Sequence, residues 1–355
     1  MKGNLNKTQL NQVVEKMVKS TKVFGATLCV ENGDGSISWN GAAGNMQPND
    51  KYFIASVTKL YVSAVVLRLI EERRLSLEDT ICNYLPKELT NGLHVLKGVD
   101  YTNQITVGHL ISNTSGIPDY FFHKLPNGKT AASFLLEGND ESWPLDKSIE
   151  YVKKMKPNFK PGKKGKANYS DTNYQILGRI IEIVTGKPIG EVFKEFIFDP
   201  MGLKNTYAYS DTTDESPTKF YYGKNELWLP KYIASIAVEG GIVSTAQESM
   251  AFIKAFFNGT FFPKERIEAL KKWNLLFGPG IFFFGIGLEK LFIPRIASPF
   301  KPIGEVLGFW GQTGSFAFHN PNTDLYFTGT TNQISGAGHQ AAGTAIHKII
   351  KMARD

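Results

Sequence analysis

The feature that most constrains this chain is a serine three residues before a lysine, at the start of a long apolar segment. Ser56 and Lys59 precede residues 60–70, in which Arg68 is the one charged residue. A helix over this segment puts residues three apart on one face, so Lys59 lies one turn beyond Ser56. The positive end of the helix dipole favours negative charge on the hydroxyl, and a partly dehydrated lysine accepts a proton more readily. The pair predicts a serine nucleophile that needs no histidine.

The Ser-x-x-Lys pattern alone is weak, because the chain contains it three times. The copies are Ser56/Lys59, Ser216/Lys219 and Ser298/Lys301. A proline follows the serine in the second and third copies, and no apolar helix comes after either of them. Even the first copy has another interpretation, in which the serine caps the helix and the lysine lays its aliphatic stem on apolar surface. The catalytic interpretation therefore needs further partners.

Composition places the chain among globular proteins and narrows its partners. The 355 residues are 42% hydrophobic and 21% charged, which is enough for two structural units or one large one. The net charge of +7 favours anionic small molecules or surfaces, but no basic stripe with interleaved aromatics predicts nucleic-acid binding. The histidines and cysteines form no ligand cluster, so we expect no metal and no cofactor. We also expect no signal peptide and no membrane span, and the compartment stays unknown.

Strand patterns occur near both ends of the chain. Residues 24–30 and 36–43 form one predicted hairpin, and residues 308–319 and 325–331 form another. Helical patterns dominate between them, and a last helix is predicted over 338–352. These patterns predict an α/β fold in which helices flank one antiparallel sheet built from both ends of the chain. We expect a sheet domain made of residues 1–75 and 232–355, with a mostly helical insertion over 76–231.

Two further segments offer partners for a Ser-Lys nucleophile. Tyr169-Ser170-Asp171 lies in a predicted loop before a helix over 170–184, and a tyrosine beside two ammonium groups can ionise and act as a base. The same tripeptide recurs at 209–211 without a helix after it. Gln312-Thr313-Gly314-Ser315 lies inside the predicted strand 308–319, where glycine permits close backbone approach. We expect the Ser315 and Ser56 N–H groups to hold a carbonyl oxygen together.

With these residues in view, the chain resembles the serine β-lactamase-like hydrolases from about Phe24 to Met352. That family includes class C β-lactamases, penicillin-binding D-alanyl-D-alanine carboxypeptidases and related esterases and D-aminopeptidases. The resemblance is carried, in chain order, by Phe53-Ile54-Ala55-Ser56-Val57-Thr58-Lys59, by 105–120 with Asn113-Thr114-Ser115-Gly116, by Tyr169-Ser170-Asp171, by 200–206, by 240–245 and by Gln312-Thr313-Gly314. Several ordered motifs are far more specific than any one of them.

The resemblance implies a role for each candidate residue. Ser56 is acylated, and Lys59 helps to deprotonate it. Tyr169 passes the proton to the leaving group and activates the deacylating water. The Ser315 and Ser56 amides form the oxyanion site, and Thr313 and Gly314 flank a substrate aligned on the edge of the sheet.

Two positions depart from the family pattern. The second motif usually ends in asparagine, and here it ends in Asp171; the third usually begins with lysine or histidine, and here it begins with Gln312. An ionised aspartate only accepts hydrogen bonds, and its charge holds a neighbouring lysine protonated. Without a cation at 312, a substrate carboxylate lacks its natural partner. Both changes argue against efficient β-lactamase or carboxypeptidase action.

The resulting hypothesis is a hydrolase that acts through an acyl-enzyme on a small ester or amide, or on a short peptide-like substrate. The alternatives are a D-alanyl-D-alanine carboxypeptidase or class C β-lactamase, and a non-catalytic or stalled penicillin-binding protein. Seven lysines within 153–166 either steer an anionic cell-wall ligand or form a solvated face. The phenylalanines of 256–292 either line an apolar wall for the substrate or belong to the core.

Overall fold

The computed structural model describes residues 5–19, 22–124, 128–277, 282–292 and 303–354. The strands of this part are β1 (Gly25–Asn32), β2 (Ser38–Gly44), β3 (Tyr52–Phe53), β4 (Val95–Leu96), β5 (Val99–Asp100), β6 (Tyr207–Ala208), β7 (Phe220–Tyr222), β8 (Asn225–Leu227), β9 (Ile242–Ser244), β10 (Asn274–Phe277), β11 (Phe282–Phe284), β12 (Glu289–Phe292), β13 (Glu305–Trp310), β14 (Ser315–Asn320) and β15 (Leu325–Thr330).

The α-helices of the same part are α1 (Lys7–Met17), α2 (Thr58–Glu71), α3 (Lys87–Thr90), α4 (Val107–Ile111), α5 (Ala131–Leu136), α6 (Leu145–Lys153), α7 (Asp171–Thr185), α8 (Ile189–Phe193), α9 (Pro230–Ser235), α10 (Ala246–Asn258), α11 (Arg266–Leu270) and α12 (Gly336–Arg354). Short 3₁₀ turns cover Ala55–Val57, Ile81–Asn83 and Thr102–Gln104, and a π turn covers Lys194–Phe198. Within the described ranges, no helix combines the length and the apolarity that crossing a membrane requires.

One eight-stranded sheet joins the two ends of the chain. Its order is β10-β11-β12-β13-β14-β15-β1-β2, and each neighbouring pair is antiparallel. The pairing of β1 with β15, for example Thr27 opposite Thr330, connects the early hairpin to the late one. This confirms the predicted fold class, an antiparallel sheet flanked by helices. The proposed division at 75 and 232 into two domains remains a prediction.

Both faces of the sheet are covered, as β1 illustrates. Ala26, Leu28 and Val30 pack with α1 and α12, whereas Cys29 belongs to the larger core on the other face, with α2, α7 and α10. Successive side chains of a strand point to opposite faces, so a strand between two helical layers is apolar on both sides. This explains why residues 24–30 form an almost unbroken apolar run. The larger core extends under residues 52–71 and so supports the candidate site.

The structure corrects the prediction of one strand over 308–319. The segment is two strands, β13 and β14, joined by a tight turn at Gly311–Gly314. The N–H of Gly311 donates to the Ser315 carbonyl oxygen over 2.7 Å, and the N–H of Gly314 donates to the Gly311 carbonyl oxygen over 3.0 Å. Gly314 has a φ of +75°, a conformation that disfavours other residues, so the chain reverses here.

Candidate active site

Ser56 lies in the 3₁₀ turn that links β3 to α2, so the helix begins two residues later than predicted. The preceding Ala55 has a φ of +46°, a left-handed conformation that is costly for alanine. Ser56 is half-buried, and its Oγ contacts two side chains. Lys59 Nζ donates to this Oγ over 3.0 Å, and the Tyr169 hydroxyl lies 2.6 Å from it. The structure therefore brings the three predicted catalytic side chains together.

Lys59 is fully buried one turn beyond Ser56. Besides Ser56, its Nζ donates to the main-chain oxygen of Glu239 over 2.7 Å and forms an ion pair with Asp171 Oδ1 at 2.7 Å. The ring of Tyr169 lies 5.2 Å from the ammonium, measured to its centroid. The ammonium thus donates to a hydroxyl and to a carbonyl oxygen and pairs with a carboxylate, which fixes its position.

The loop over 113–120 holds the Tyr169–Asp171 segment in place. Asn113 Oδ1 accepts the N–H of Ser170 over 3.2 Å, and the Pro118 carbonyl accepts the Ser170 hydroxyl over 3.0 Å. Asp119 Oδ1 accepts the N–H of Asp171 over 2.9 Å. Asp171 is also the first residue of α7, where the helix dipole favours a negative charge. This loop therefore positions the second motif, Tyr169-Ser170-Asp171.

Three further carboxyl groups surround Lys59 and Asp171. Burial, and then the charge of Asp171, raise the pKa of Asp119 to about 7 and the pKa of Glu239 well above its usual value. Burial raises the pKa of Glu289 to about 8, against the hydrogen bond that Trp310 N–H donates to it. Because burial disfavours charge, the surroundings of Glu239 and Glu289 favour the protonated form of each carboxyl group. Asp171 differs from these three in its direct ion pair with Lys59.

The surroundings of Tyr169 disfavour the ionised tyrosine expected from sequence. Burial, and then the charge of Asp171, raise the pKa of Tyr169 well above its usual value. Lys59 supplies one of the two expected ammonium groups, but position 312 carries a neutral amide. One cation paired with a carboxylate does not stabilise a phenolate in a buried site. Tyr169 is therefore a neutral phenol, able to donate a proton but unable to accept one from Ser56.

The Gln312–Ser315 segment is held beside the nucleophile, in the turn between β13 and β14. Thr313 Oγ1 donates to the Phe53 carbonyl over 2.9 Å, and Ser315 Oγ donates to the Ile54 carbonyl over 2.6 Å. A Cβ at Gly314 would lie 2.0 Å from Thr331 Oγ1, so only glycine fits there. Ser315 thus lies next to the segment that carries Ser56, while its share in an oxyanion site stays a prediction.

Two cavities meet at Ser56. The wider has a volume of about 540 Å³ and the narrower about 60 Å³, and both are lined by Ser56, Asp171 and Gln312. The wider cavity is also lined by Tyr169, Glu289 and a largely apolar wall that includes Phe122, Leu276, Phe282, Leu291, Phe309 and Trp310. Of the aromatic segment, Phe282 therefore faces this cavity, whereas Phe256, Phe257, Phe261 and Phe262 belong to the core. Phe277 and Phe292 have side chains outside the described structure.

The second Ser-x-x-Lys copy does not contribute to this site. Lys219 is exposed and lies 3.7 Å from Glu226, and Ser216 hydrogen-bonds Tyr207 over 3.1 Å. Ser298 and Lys301 lie outside the described residues. The long apolar helix that follows Ser56 and contains Lys59 thus distinguishes the first copy from the second.

Sequence reasoning missed the carboxyl groups around Lys59. Asp119 lies in the 105–120 motif and Glu239 directly precedes Gly240-Gly241, so motif position offered a signal for both. For Glu289 the sequence gives no such signal, because an acidic residue beside Lys290 in a strand is normally exposed to solvent. Across the described ranges, no group of three side chains is placed to hold a metal ion.

Comparisons with known proteins agree with this fold. A family model described as Beta-lactamase matches residues 10–350. An N-acetylmuramyl-L-alanine amidase of Bacillus subtilis is 30% identical over 162 residues, or 45% of this chain, and the match spans 34% of that relative, about a third of its length.

Two solved structures share the fold over nearly their whole length. A D-stereospecific amidohydrolase from Streptomyces sp. has a TM-score of 0.77 at 24% identity, covering 96% of this chain and 98% of that chain. EstCE1, described as a hydrolase with promiscuous acyltransferase activity, has a TM-score of 0.77 at 20% identity, with the same two coverages, 96% and 98%. Since the family model matches nearly the whole sequence, the resemblance is confirmed, and the chain belongs to the Beta-lactamase family of hydrolases.

Proposed function

We propose that this chain is a serine hydrolase that forms an acyl-enzyme on Ser56 with an ester or a small amide. The observation that carries the proposal is the environment of Ser56 Oγ, 3.0 Å from Lys59 Nζ and 2.6 Å from the Tyr169 hydroxyl. Ser56 also lines both cavities, so a substrate reaches it from the wide side. A hydroxyl between a cation and a proton donor, facing a cavity, is suited to nucleophilic catalysis.

These contacts suggest a role for each residue in the reaction. Ser56 Oγ adds to the carbonyl carbon, and the nearby Lys59 ammonium stabilises the developing alkoxide. The Ser56 and Ser315 amides would hold the oxyanion, and the neutral Tyr169 would protonate the leaving group. Water then hydrolyses the acyl-enzyme and regenerates the serine.

An ester is the first choice of substrate. An alcohol leaves a tetrahedral intermediate with little help, whereas an amine leaves only when it is protonated. Tyr169 is a weak acid because burial and Asp171 raise its pKa. The apolar wall of the wide cavity and the neutral Gln312 favour an uncharged substrate over one with a carboxylate. The anionic cell-wall ligand stays a prediction.

Burst kinetics with p-nitrophenyl acetate test the proposal. The wild-type protein is expected to release a burst of p-nitrophenolate equal to its active-site concentration, followed by slower turnover. S56A is expected to lose both phases, because no other nucleophile occupies the position. S216A, which removes the serine of the second Ser-x-x-Lys copy, is the matched control and is expected to keep them. Full activity in S56A would exclude this mechanism.

A D-alanyl-D-alanine carboxypeptidase or class C β-lactamase is the second candidate, and an amide-cleaving relative favours it. A peptide ending in D-alanyl-D-alanine and a chromogenic penicillin, used in the same assay, separate it from the ester hydrolase. A lasting mass increase after incubation with penicillin, without turnover, would instead indicate a stalled penicillin-binding protein. A protein that neither turns over nor is modified would be a binding protein only.

A further inference from the structure

The contacts of Ser56 leave its proton without an immediate acceptor. Among the residues that the structure describes, two groups lie within hydrogen-bonding distance of Ser56 Oγ, Lys59 Nζ at 3.0 Å and the Tyr169 hydroxyl at 2.6 Å. Lys59 is an ammonium in an ion pair, and Tyr169 is a neutral phenol. An ammonium carries donors only, and a neutral phenol is a very weak base. Deprotonation of Ser56 therefore requires a base one step further away.

The side chain of Asp171 lies where such a base is needed. Its Oδ1 lies 2.7 Å from Lys59 Nζ, so Lys59 bridges the serine hydroxyl and the carboxylate. We propose that Asp171 is the final acceptor of the Ser56 proton, which reaches it through Lys59. This inference rests on the proposed acyl-enzyme function.

The transfer balances without any additional reactant. Lys59 gives one N–H proton to Asp171 and receives the O–H proton of Ser56, so Lys59 remains an ammonium. Asp171 becomes a neutral carboxylic acid while Ser56 Oγ forms its bond to the substrate carbonyl carbon and the oxyanion develops. When the intermediate collapses, Tyr169 gives its proton to the leaving group. During deacylation the attacking water gives a proton back to Tyr169 as it adds to the acyl carbon, and Asp171 returns its proton through Lys59 to Ser56 Oγ when the acyl group leaves.

The other titratable groups around Asp171 do not compete for the proton. Asp119 contacts the main chain of Asp171, and Glu239 contacts Lys59 through its carbonyl oxygen alone. Glu289 accepts the N–H of Trp310. Burial raises the pKa of Glu239 and of Glu289, which favours the protonated form of each, and a carboxyl group in that form cannot accept a further proton. The phenols that face Asp171 are Tyr120, Tyr169, Tyr174 and Tyr232, each with a raised pKa.

The inference reverses the role expected from sequence, where the negative charge of Asp171 weakens Lys59 as a base. In the structure the same carboxylate is the group to which Lys59 can transfer a proton. The family's asparagine at this position could orient the lysine but could not accept its proton. Asp171 acts through Lys59, so a structural role must be distinguished from a proton-accepting one.

D171N makes that distinction, because an asparagine keeps the size and the oxygen of the side chain beside Lys59 but cannot take a proton from it. We expect the acylation rate of p-nitrophenyl acetate at neutral pH to fall about 100-fold or more, the usual contribution of a positioned base. The pH dependence of the remaining activity should also change, because the transferred proton no longer has a carboxylate to accept it. D211N changes the aspartate of the second Tyr-Ser-Asp copy and is the matched control, with an unchanged rate and pH profile.

Rescue by a small carboxylate is the second readout. D171A leaves space beside both cavities, so added formate is expected to restore part of the acylation rate of D171A but not of D171N or S56A. A D171N rate equal to the wild-type rate, with the same pH profile, would overturn the inference. A D171A protein that formate does not accelerate would also count against it.

The failure of this inference can be told apart from the failure of the proposed function. If the wild-type protein shows no burst and no acyl adduct on Ser56, the function itself is wrong. If the wild-type protein is acylated on Ser56 and D171N is acylated equally fast, the function holds and only the proton route is wrong.

Discussion

The same tripeptide, Tyr-Ser-Asp, occurs at 169–171 and at 209–211 in two different environments. In the first copy the tyrosine hydroxyl contacts Ser56, and the aspartate pairs with the buried Lys59 at the start of α7. In the second copy the Tyr209 hydroxyl donates to the Asp214 carbonyl over 2.9 Å, and Asp211 is exposed.

The difference is one of surroundings rather than of sequence. Asp211 accepts hydrogen bonds from the hydroxyl and N–H of Thr213, at 2.7 and 2.9 Å, and these lower its pKa. Asp171 lies in a buried cluster where the neighbouring carboxyl groups have raised pKa values instead. Burial and the neighbouring Lys59 ammonium therefore suit the first copy, 169–171, to proton transfer, and the second copy has neither.

The largest effect is expected from removing the ammonium. K59M leaves Asp171 buried without its partner, which typically costs about 3–5 kcal/mol of unfolding free energy. It also removes the bridge between Ser56 and Asp171, so acylation of p-nitrophenyl acetate should become undetectable. Urea denaturation and burst kinetics measure the two effects.

K219M is the matched control, because Lys219 belongs to the second Ser-x-x-Lys copy. Its ammonium is exposed and lies 3.7 Å from Glu226, so its loss should change the unfolding free energy by at most about 1 kcal/mol. Equal effects of K59M and K219M would show that burial does not distinguish the two copies.

The next effect concerns the two tyrosines. Y169F removes the hydroxyl 2.6 Å from Ser56 Oγ, and turnover should fall about 10²–10⁴-fold through loss of proton transfer. Y209F removes a hydrogen bond to a carbonyl, so it should cost about 1 kcal/mol of unfolding free energy without changing turnover. Measuring kcat and thermal unfolding for both variants tests this, and a slow Y209F with a fast Y169F would contradict it.

The last effect is on the pH dependence of stability, and we expect it to change catalysis least. Burial raises the pKa of Glu289 to about 8, so the folded state holds a proton that the unfolded state has already lost. This contribution is fully present below the unfolded pKa of about 4.3 and declines by about 1.4 kcal/mol per pH unit until pH reaches the folded pKa.

E289Q should therefore flatten the decline in unfolding free energy between about pH 5 and 8. D211N should leave that slope unchanged, because the pKa of exposed Asp211 is lowered and its effect lies at acid pH. Denaturant titrations across this range check both variants. An unchanged slope in E289Q would show that Glu289 is ionised in the folded protein.

Much of this molecule could be predicted from local patterns. The apolar run after Lys59, the helix after Asp171 and the two hairpins each depend on neighbours in sequence, and all appear in the structure. The β13–β14 turn was missed because the apolar residues on both sides of Gly311–Gly314 continue the alternation of a strand, so hydrophobic pattern outweighed the turn chemistry of glycine.

The electrostatics of the site could not be predicted in the same way. The state of Glu239, Glu289 and Tyr169 depends on burial by segments far away in the chain, and pattern does not reveal it. The sequence indicated that Asp171 would bear on Lys59. It could not show that the aspartate and the serine lie on either side of the same ammonium.

The most direct test of the central claim is to map the site of covalent modification. The protein is incubated with a fluorophosphonate, digested, and its peptides are sequenced by mass spectrometry. The account predicts one adduct, on Ser56, that is absent from S56A and K59M and present in K219M. An adduct on Ser216 or on any other residue, or no adduct on the folded wild-type protein, would contradict it.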